Sequence, residues 1–138
     1  MTMLEARDFI TEGHADRLQC HVDRLATSLG FSGRLRADLT LFAKFHDIGK
    51  VGVPDSILFK PRPLTKEELV VMRGHSEIGH RIALSTPDVL PVADWILKHH
   101  ECRDGSGYPI GLSKHDIPLE CRMLALAAAF DAMTNDRP

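Results

Sequence analysis

Apolar residues in this chain recur at helical spacing, and no stretch alternates apolar and polar residues as a half-buried strand would. Glycines and prolines interrupt the pattern and divide it into five predicted helices. These cover about residues 4 to 29, 34 to 46, 65 to 86, 89 to 100 and 119 to 133. Two segments rich in proline or glycine, 51 to 63 and 104 to 111, are predicted loops. The pattern therefore predicts an all-α fold.

Particular residues place several of the helix ends. Gly30 is positioned to stop the first helix, whose apolar stripe also carries His14 and His21, so both histidines are expected to point inward. Thr65 and Glu68 have the spacing of a capping box at the start of the third helix. That helix is predicted to run unbroken to the residues before Pro87, and His75 then lies near its middle.

Length and composition limit the classes of protein that the chain can belong to. Its 138 residues fit one domain, and a net charge of −2 argues against a broad basic surface for polymeric nucleic acid. Three cysteines without CxxC spacing argue against a disulfide framework or a thiolate zinc site. The longest apolar run is eight residues, so we expect no signal peptide and no membrane-spanning helix. Together these features predict a single cytoplasmic domain over residues 1 to 138.

The eight histidines are the unusual part of the composition. Five of them, with one aspartate, lie at predicted helix ends or on inward faces: His14, His46, His75, His99, His100 and Asp47. Each histidine alone is more simply a satisfied core or surface residue. Burying all of them unpaired would cost about 1 to 3 kcal/mol for each unsatisfied group, and metal binding removes that cost. A carboxylate can bridge two cations, so Asp47 is the expected shared ligand.

Motifs along the chain resemble those of a known family. They are Phe45-His46-Asp47-Ile48-Gly49-Lys50 through Asp55, Lys60-Pro61, Leu64-Thr65, His75, His99-His100-Glu101, Asp104-Gly105-Ser106-Gly107-Tyr108-Pro109, Ile117-Pro118 and Asp136-Arg137-Pro138. In this order and with these gaps they resemble the HD-GYP family, a branch of the HD phosphohydrolase superfamily. The resemblance spans nearly the whole chain, whereas a His-Asp pair alone would indicate little.

The resemblance implies an HD-type bundle of about five core helices that binds metal, usually iron or manganese, and hydrolyses cyclic di-GMP to a linear dinucleotide or GMP. By position, it assigns one metal to His14, His46 and Asp47, and a second metal to Asp47, His75, His99 and His100. It assigns catalytic roles to Asp47 and Lys50, and substrate contacts to Lys50, Gly107, Tyr108 and Arg137. The reaction such a site supports is metal-assisted attack of water on a phosphodiester. The alternative for the glycine-rich loop is a tight surface turn.

Three positions depart from the family pattern. The last helix has Ala128 where the family places a metal-binding aspartate, so the first metal site is expected to be weak. Asp131, one turn later, could replace that ligand only if the helix rotated or shifted. Ile10 stands where members with three metals have a glutamate, so two ions are the expected maximum. After Pro138 the family continues with a C-terminal extension, which this domain is expected to lack.

These departures leave three functions open. The first is a phosphodiesterase acting on cyclic di-GMP. The second is a degenerate domain that binds metal, nucleotide or a partner protein without turnover, because Ala128 cannot coordinate a metal ion. The third is an HD phosphohydrolase for another phosphoester. The expected partners are a cyclic dinucleotide and signalling proteins, while His80 and His115 have no family role and are expected to be solvated.

Overall fold

The structure is a computed structural model that describes residues 14 to 134 and, at His14, the backbone alone. Within this part of the chain every regular element is helical, which confirms the all-α prediction. The α-helices are α1 (His14–Ser28), α2 (Gly33–Phe45), α3 (Asp55–Leu58), α4 (Lys66–Arg73), α5 (His75–Leu84), α6 (Ala93–Lys98) and α7 (Leu119–Thr134). Short 3-10 turns occupy Ile48–Gly52, Leu90–Val92 and Lys114–Asp116. None of the described helices is long and apolar enough to cross a bilayer.

The core forms where α1 packs against α2 and α7, and where α5 packs against α6. Its largest fully buried side chains include Leu18 of α1, Leu39 and Phe42 of α2, and Ile96 of α6. The apolar spacing predicts inward positions for Leu18 in the first helix and for Leu39 and Phe42 in the second, and the structure confirms them. Leu29, which the same pattern placed on the inward stripe of α1, is instead 53% exposed because it lies beyond the last helical residue.

Two of the predicted helices are shorter than their sequence patterns indicated. The third is divided at Gly74, where ψ is −14°, so His75 begins α5 instead of lying mid-helix. Glycine has a low helix propensity and allows this interruption. In the fourth, Pro91 lies in a 3-10 turn and α6 ends at Lys98. The pair His99-His100 therefore lies beyond the helix, and a short α3 occupies part of the predicted loop at 51 to 63.

The predicted end signals of α1 and α4 are confirmed. Gly30 has a φ of +82°, a left-handed conformation that glycine adopts without strain and that stops α1. At α4, the Thr65 hydroxyl accepts from the Glu68 amide at 3.1 Å, and the Glu68 carboxylate accepts from the Thr65 amide at 2.9 Å. Lys60 also donates to this carboxylate, so the capping box connects the preceding loop to α4.

A buried carboxylate connects the last helix to the first. Asp131 of α7 is fully buried, and its Oδ1 accepts from the Arg17 Nε of α1 at 2.8 Å. The His21 Nε2 lies 3.5 Å from the same oxygen. His21 is itself only 18% exposed, which confirms its predicted inward orientation. The Asp131 side chain is therefore held at the contact between α1 and α7.

A close backbone contact lies beside the His46-Asp47 pair. A Cβ added to Gly49 would lie 1.7 Å from the His75 carbonyl oxygen and 2.6 Å from the Gly79 nitrogen. A Cβ at Gly79 would in turn lie 2.9 Å from the Ile96 side chain. The 3-10 turn after Asp47 can therefore rest on α5 only because both contact positions are glycine.

Gly49→Ala is expected to lower the free energy of unfolding by about 3 kcal/mol or more, since overpacking costs roughly 1 to 3 kcal/mol even where side chains can adjust. Urea denaturation followed by circular dichroism measures the change. Gly52→Ala is the matched control, because the atoms nearest its added Cβ belong to the flexible Ile78 side chain, at 3.0 Å and beyond. Equal stability of the two variants would contradict this account of the contact.

Candidate metal centre

Three of the predicted ligand histidines lie at the C-terminal ends of helices. His46 follows α2, His99 follows α6, and His75 follows Gly74 at the end of α4. Each Nδ1 donates to the backbone carbonyl three residues earlier. The acceptors are, in order, Ala43 at 2.9 Å, Ile96 at 2.6 Å and Met72 at 2.7 Å. A helix leaves its last carbonyls without an intrahelical amide partner, and these imidazoles donate to acceptors at such helix ends.

The same hydrogen bonds determine the tautomer of each ring. A carbonyl oxygen can only accept, so Nδ1 carries the proton and Nε2 of the neutral ring keeps its lone pair. The three Nε2 atoms, of His46, His75 and His99, all lie close to the Asp47 carboxylate. Outer hydrogen bonds of this kind are what orient imidazole ligands in metal sites.

The two oxygens of Asp47 face different sets of side chains. Its Oδ1 lies 3.3 Å from Nε2 of His99 and 3.4 Å from Nε2 of His75. Its Oδ2 lies 3.1 Å from Nε2 of His46 and 3.1 Å from the Nζ of Lys50. One carboxylate therefore lies between two adjacent groups of side chains, His75 with His99 and His46 with Lys50.

The Oδ1 side holds a compact group of ligand atoms. One atom each from Asp47, His75, His99 and His100 lies within 4.8 Å of all the others. Within this group, the Nε2 atoms of His75 and His100 are 3.1 Å apart. Three imidazole nitrogens and one carboxylate oxygen in such a space are a donor set for a divalent transition metal. The structure thus brings together four of the six predicted metal ligands in one group, with His46 directly beside it.

Burial and charge act against each other at the centre of the site. Burial alone would raise the pKa of Asp47, but the charge of His46 and the hydrogen bond that His46 donates hold this pKa well below its ordinary value. Burial would lower the pKa of His46, yet the adjacent carboxylate outweighs it and the pKa is raised. The Asp47 carboxylate is therefore ionised at neutral pH.

Two of the imidazoles, those of His99 and His100, are kept neutral. Burial lowers the pKa of His99, and burial followed by the proximity of His99 lowers the pKa of His100 to about 3. A neutral imidazole is the form that coordinates a cation, because protonation would occupy the nitrogen lone pair. At neutral pH these two rings are therefore ready to bind metal without first losing a proton.

The glycine-rich loop packs directly against this cluster. The Tyr108 ring stacks on the His100 ring, with centroids 5.0 Å apart and planes at 16°. A Cβ at Gly107 would lie 2.4 Å from the His100 carbonyl oxygen and 2.4 Å from the Cys102 nitrogen, so only glycine fits there. Gly105 has a φ of +83°, which glycine adopts most easily. The loop is therefore part of the wall of the site, while the substrate contacts of Gly107 and Tyr108 stay predictions.

Glu101 is an organising residue that the sequence reasoning missed. Its side chain is buried and accepts backbone hydrogen bonds from Ile110 at 2.8 Å, Gly111 at 3.0 Å and Leu112 at 2.9 Å. This carboxylate fastens the far end of the glycine-rich loop to the segment that carries His100. The signal in the sequence was an acidic residue directly after the histidine pair and shortly before a glycine-rich loop.

Some predicted site residues are not placed in the cluster. The side chain of His14, together with Ile10 and Arg137, lies outside the described residues. Ala128 is half-buried on α7 against the core and offers no ligand atom. Asp131 does not replace it, because its carboxylate is buried against Arg17.

The remaining histidines have different surroundings. His115 is exposed, as predicted. The prediction that His80 is solvated is wrong: the ring is half-buried and its Nδ1 donates to the Ala93 carbonyl at 3.0 Å. It lies on α5, which packs against α6, and this packing supplies the acceptor. His80 therefore connects two helices of the core.

Comparison with known proteins places this geometry in a family. A family model described as HD domain matches residues 1–138. A cyclic di-GMP phosphodiesterase of Thermotoga maritima is 43% identical over 97% of this chain and 37% of its own length. The cyclic di-GMP phosphodiesterase response regulator RpfG of Xanthomonas campestris pv. campestris is 39% identical over 98% of this chain and 36% of its own length. The 3'3'-cGAMP-specific phosphodiesterase 2 of Vibrio cholerae is 41% identical over 94% of this chain and 25% of its own length.

The chain thus spans only 25% to 37% of the length of these relatives. Within that span the His-Asp pair, the downstream histidines and the glycine-rich loop stand in the order expected for the HD-GYP type. The family model covers the chain from end to end, and relatives named as cyclic dinucleotide phosphodiesterases match nearly all of it. This chain therefore belongs to the HD domain family, in its HD-GYP branch.

Proposed function

We propose that residues 1 to 138 form a single HD-GYP domain with metal-dependent phosphodiesterase activity, hydrolysing cyclic di-GMP to a linear dinucleotide or GMP. The observation that carries the proposal is the Asp47 carboxylate, which directs one oxygen to His75 and His99 and the other to His46 and Lys50. A carboxylate with an imidazole beside each of its oxygens is suited to hold two cations beside each other. The names of the relatives support cyclic di-GMP as the substrate.

The proposed metals are two divalent ions, iron or manganese, that share Asp47. His75, His99 and His100 would complete one site, whose donors lie within 4.8 Å of one another. His46 and His14 would serve the other site. Mixed imidazole and carboxylate donors fit these metals, because both ligand types suit cations of intermediate softness. The second of these sites has fewer donors, since Ala128 contributes none.

Divalent cations bound in this place supply Lewis-acid charge and lower the pKa of coordinated water. The chain's own residues provide the remaining requirements. Asp47 stays ionised, and the carbonyl hydrogen bonds of the histidines hold the rings in one orientation. Lys50 places an ammonium group at the edge of the cluster, 3.1 Å from Asp47 Oδ2, where it can stabilise charge that develops on a phosphate.

The substrate would lie against the glycine-rich loop. The half-buried Tyr108 ring extends the stacked surface of His100 outward from the cluster and can stack on a nucleobase or donate a hydrogen bond. Burial raises the pKa of Tyr108 to about 12, so its hydroxyl stays protonated and can act as a donor at neutral pH. The proposed contacts of Gly107 and Arg137, and signalling proteins as partners, stay predictions.

Binding without turnover is the second candidate function, and Ala128 is the observation that favours it. The loss of one charged ligand weakens a metal site, and even outer hydrogen-bond partners of ligands contribute about 10- to 100-fold in affinity. A different cyclic dinucleotide is a further candidate, because some relatives are named as 3'3'-cGAMP-specific phosphodiesterases. Parallel assays with both cyclic dinucleotides separate these possibilities.

The protein loaded anaerobically with Mn²⁺ or Fe²⁺ is expected to convert cyclic di-GMP to linear dinucleotide or GMP, detected by chromatography. Asp47→Ala should abolish turnover and remove bound metal, measured by elemental analysis, because both sites would lose their shared ligand. Asp94→Ala is the matched control, since Asp94 lies exposed on α6 and pairs with Lys98. Two bound metals without turnover would overturn the catalytic proposal in favour of binding alone.

Ala128→Asp is expected to raise the metal content toward two ions per chain, because it supplies the missing carboxylate to the weaker site. Metal titration monitored by calorimetry should show a second binding event whose affinity is raised by about 10-fold or more. Removing even an outer hydrogen-bond partner of a ligand changes metal affinity by this amount. Ala129→Asp adds the same charge at the next, exposed position and serves as the control. An unchanged stoichiometry in Ala128→Asp would show that this position is not a ligand position.

A further inference from the structure

An arginine with no assigned role lies at the mouth of the candidate metal centre. Arg73 is the last residue of α4, and its guanidinium carbon lies 5.1 Å from the centroid of the Tyr108 ring. The Tyr108 ring in turn stacks on His100 at 5.0 Å. The Arg73 guanidinium carbon is therefore no more than about 10 Å from the centroid of the His100 ring.

The contact with Tyr108 leaves the hydrogen-bonding capacity of Arg73 unused. A guanidinium group over an aromatic ring contacts it with its carbon and π system, while its N–H donors lie in the plane of the group. Among the residues that the structure describes, no carboxylate lies within ion-pair distance of Arg73, and the residue is exposed. A pre-oriented, unneutralised fork of donors matches the geometry of a phosphate.

The position of Arg73 complements that of Lys50. Lys50 lies on the Oδ2 side of Asp47, directly against the metal ligands. Arg73 lies on the side of His100, in contact with the Tyr108 ring that stacks on this histidine. The Lys50 ammonium therefore borders the place where a scissile phosphate would bind, and the Arg73 guanidinium borders a place farther out. A substrate with two phosphates separated by nucleosides can place one phosphate beside Lys50 and the other beside Arg73.

We propose that Arg73 binds the second, non-reacting phosphate of a cyclic dinucleotide while the first phosphate lies at the Asp47 and histidine cluster. Arg73 is then a substrate-binding residue that favours dinucleotides over simple phosphodiesters. The inference rests on the proposed phosphodiesterase function and names the part of the site that recognises the substrate class. It requires no movement of the loop, because Tyr108 already holds the guanidinium in place.

The test compares two substrates in metal-loaded protein: cyclic di-GMP, with two phosphates, and bis(p-nitrophenyl) phosphate, with one. Arg73→Gln should lower the ratio of kcat/KM for cyclic di-GMP to that for the simple diester by about 10- to 100-fold, the loss expected for a hydrogen-bonded charge pair. The change should lie mainly in KM. Arg73→Lys should recover part of the ratio, since it keeps the charge but not the planar fork.

The control is Arg34→Gln, which removes an exposed charge at the other end of α2, about 18 Å along the helix from His46 at 1.5 Å per residue. It should leave both substrates unaffected. An Arg73→Gln protein whose two activities fall equally, or do not fall, would overturn the role of Arg73. Metal content measured in parallel identifies damage to the metal centre itself.

A binding measurement distinguishes failure of this inference from failure of the proposed function. A phosphorothioate analogue of cyclic di-GMP that resists hydrolysis should bind the metal-loaded wild-type protein and bind Arg73→Gln at least about 10-fold more weakly. A wild-type protein that neither hydrolyses cyclic di-GMP nor binds the analogue overturns the proposed function and the inference with it. A wild-type protein that binds the analogue no better than Arg73→Gln overturns the inference alone.

Discussion

Burial of the Asp47 carboxylate among imidazoles and one ammonium group is the interaction on which the rest of the site depends. A buried carboxylate without partners costs several kcal/mol, so it is stable only where hydrogen-bond donors or cations surround it. His46 after α2 and Lys50 in the 3-10 turn after Asp47 meet that requirement at Oδ2, while the imidazoles of His75, at the start of α5, and His99, after α6, lie against Oδ1. The contacts of this one carboxylate therefore bring α2, α5 and α6 together at the centre of the site. A divalent cation would satisfy the group further, since it supplies the charge that neutral imidazoles lack.

The helix ends supply both the proposed metal ligands and their orientation. Short helices such as α4 and α6 have few internal hydrogen bonds and several unpaired terminal carbonyls. A histidine directly after such a helix pairs one carbonyl through Nδ1 and turns Nε2 toward the centre. The close contact of Gly49 with α5 then brings Asp47 to these rings. The glycine-rich loop, fastened by Glu101, completes the wall with Tyr108. The hydrogen bonds to helix-end carbonyls are therefore the same ones that orient the proposed ligand histidines.

Sequence reasoning predicted the helical class, the capping box at Thr65 and the histidine set, because these depend on local spacing and on residue chemistry. It failed at Gly74, where it extended one helix through a break, because a helical pattern tolerates an isolated glycine and tertiary packing decides whether the helix continues. It also overlooked Glu101 and Arg73. Arg73 contacts Tyr108, which is distant in sequence, and Glu101 accepts from backbone amides at the far end of the glycine-rich loop. No local sequence pattern encodes such contacts.

The sequence by itself determined which residues can do chemistry: the imidazoles, the single carboxylate that follows His46, and the alanine at position 128, which no arrangement can turn into a ligand. Only the tertiary structure decided which of these side chains meet and which atoms they present. Periodicity reports which face of a helix is buried, but not which distant helix end it approaches. Nor does it show that each imidazole donates through Nδ1, or that the two oxygens of Asp47 face different neighbours. Those facts depend on long-range packing, which sequence spacing does not report.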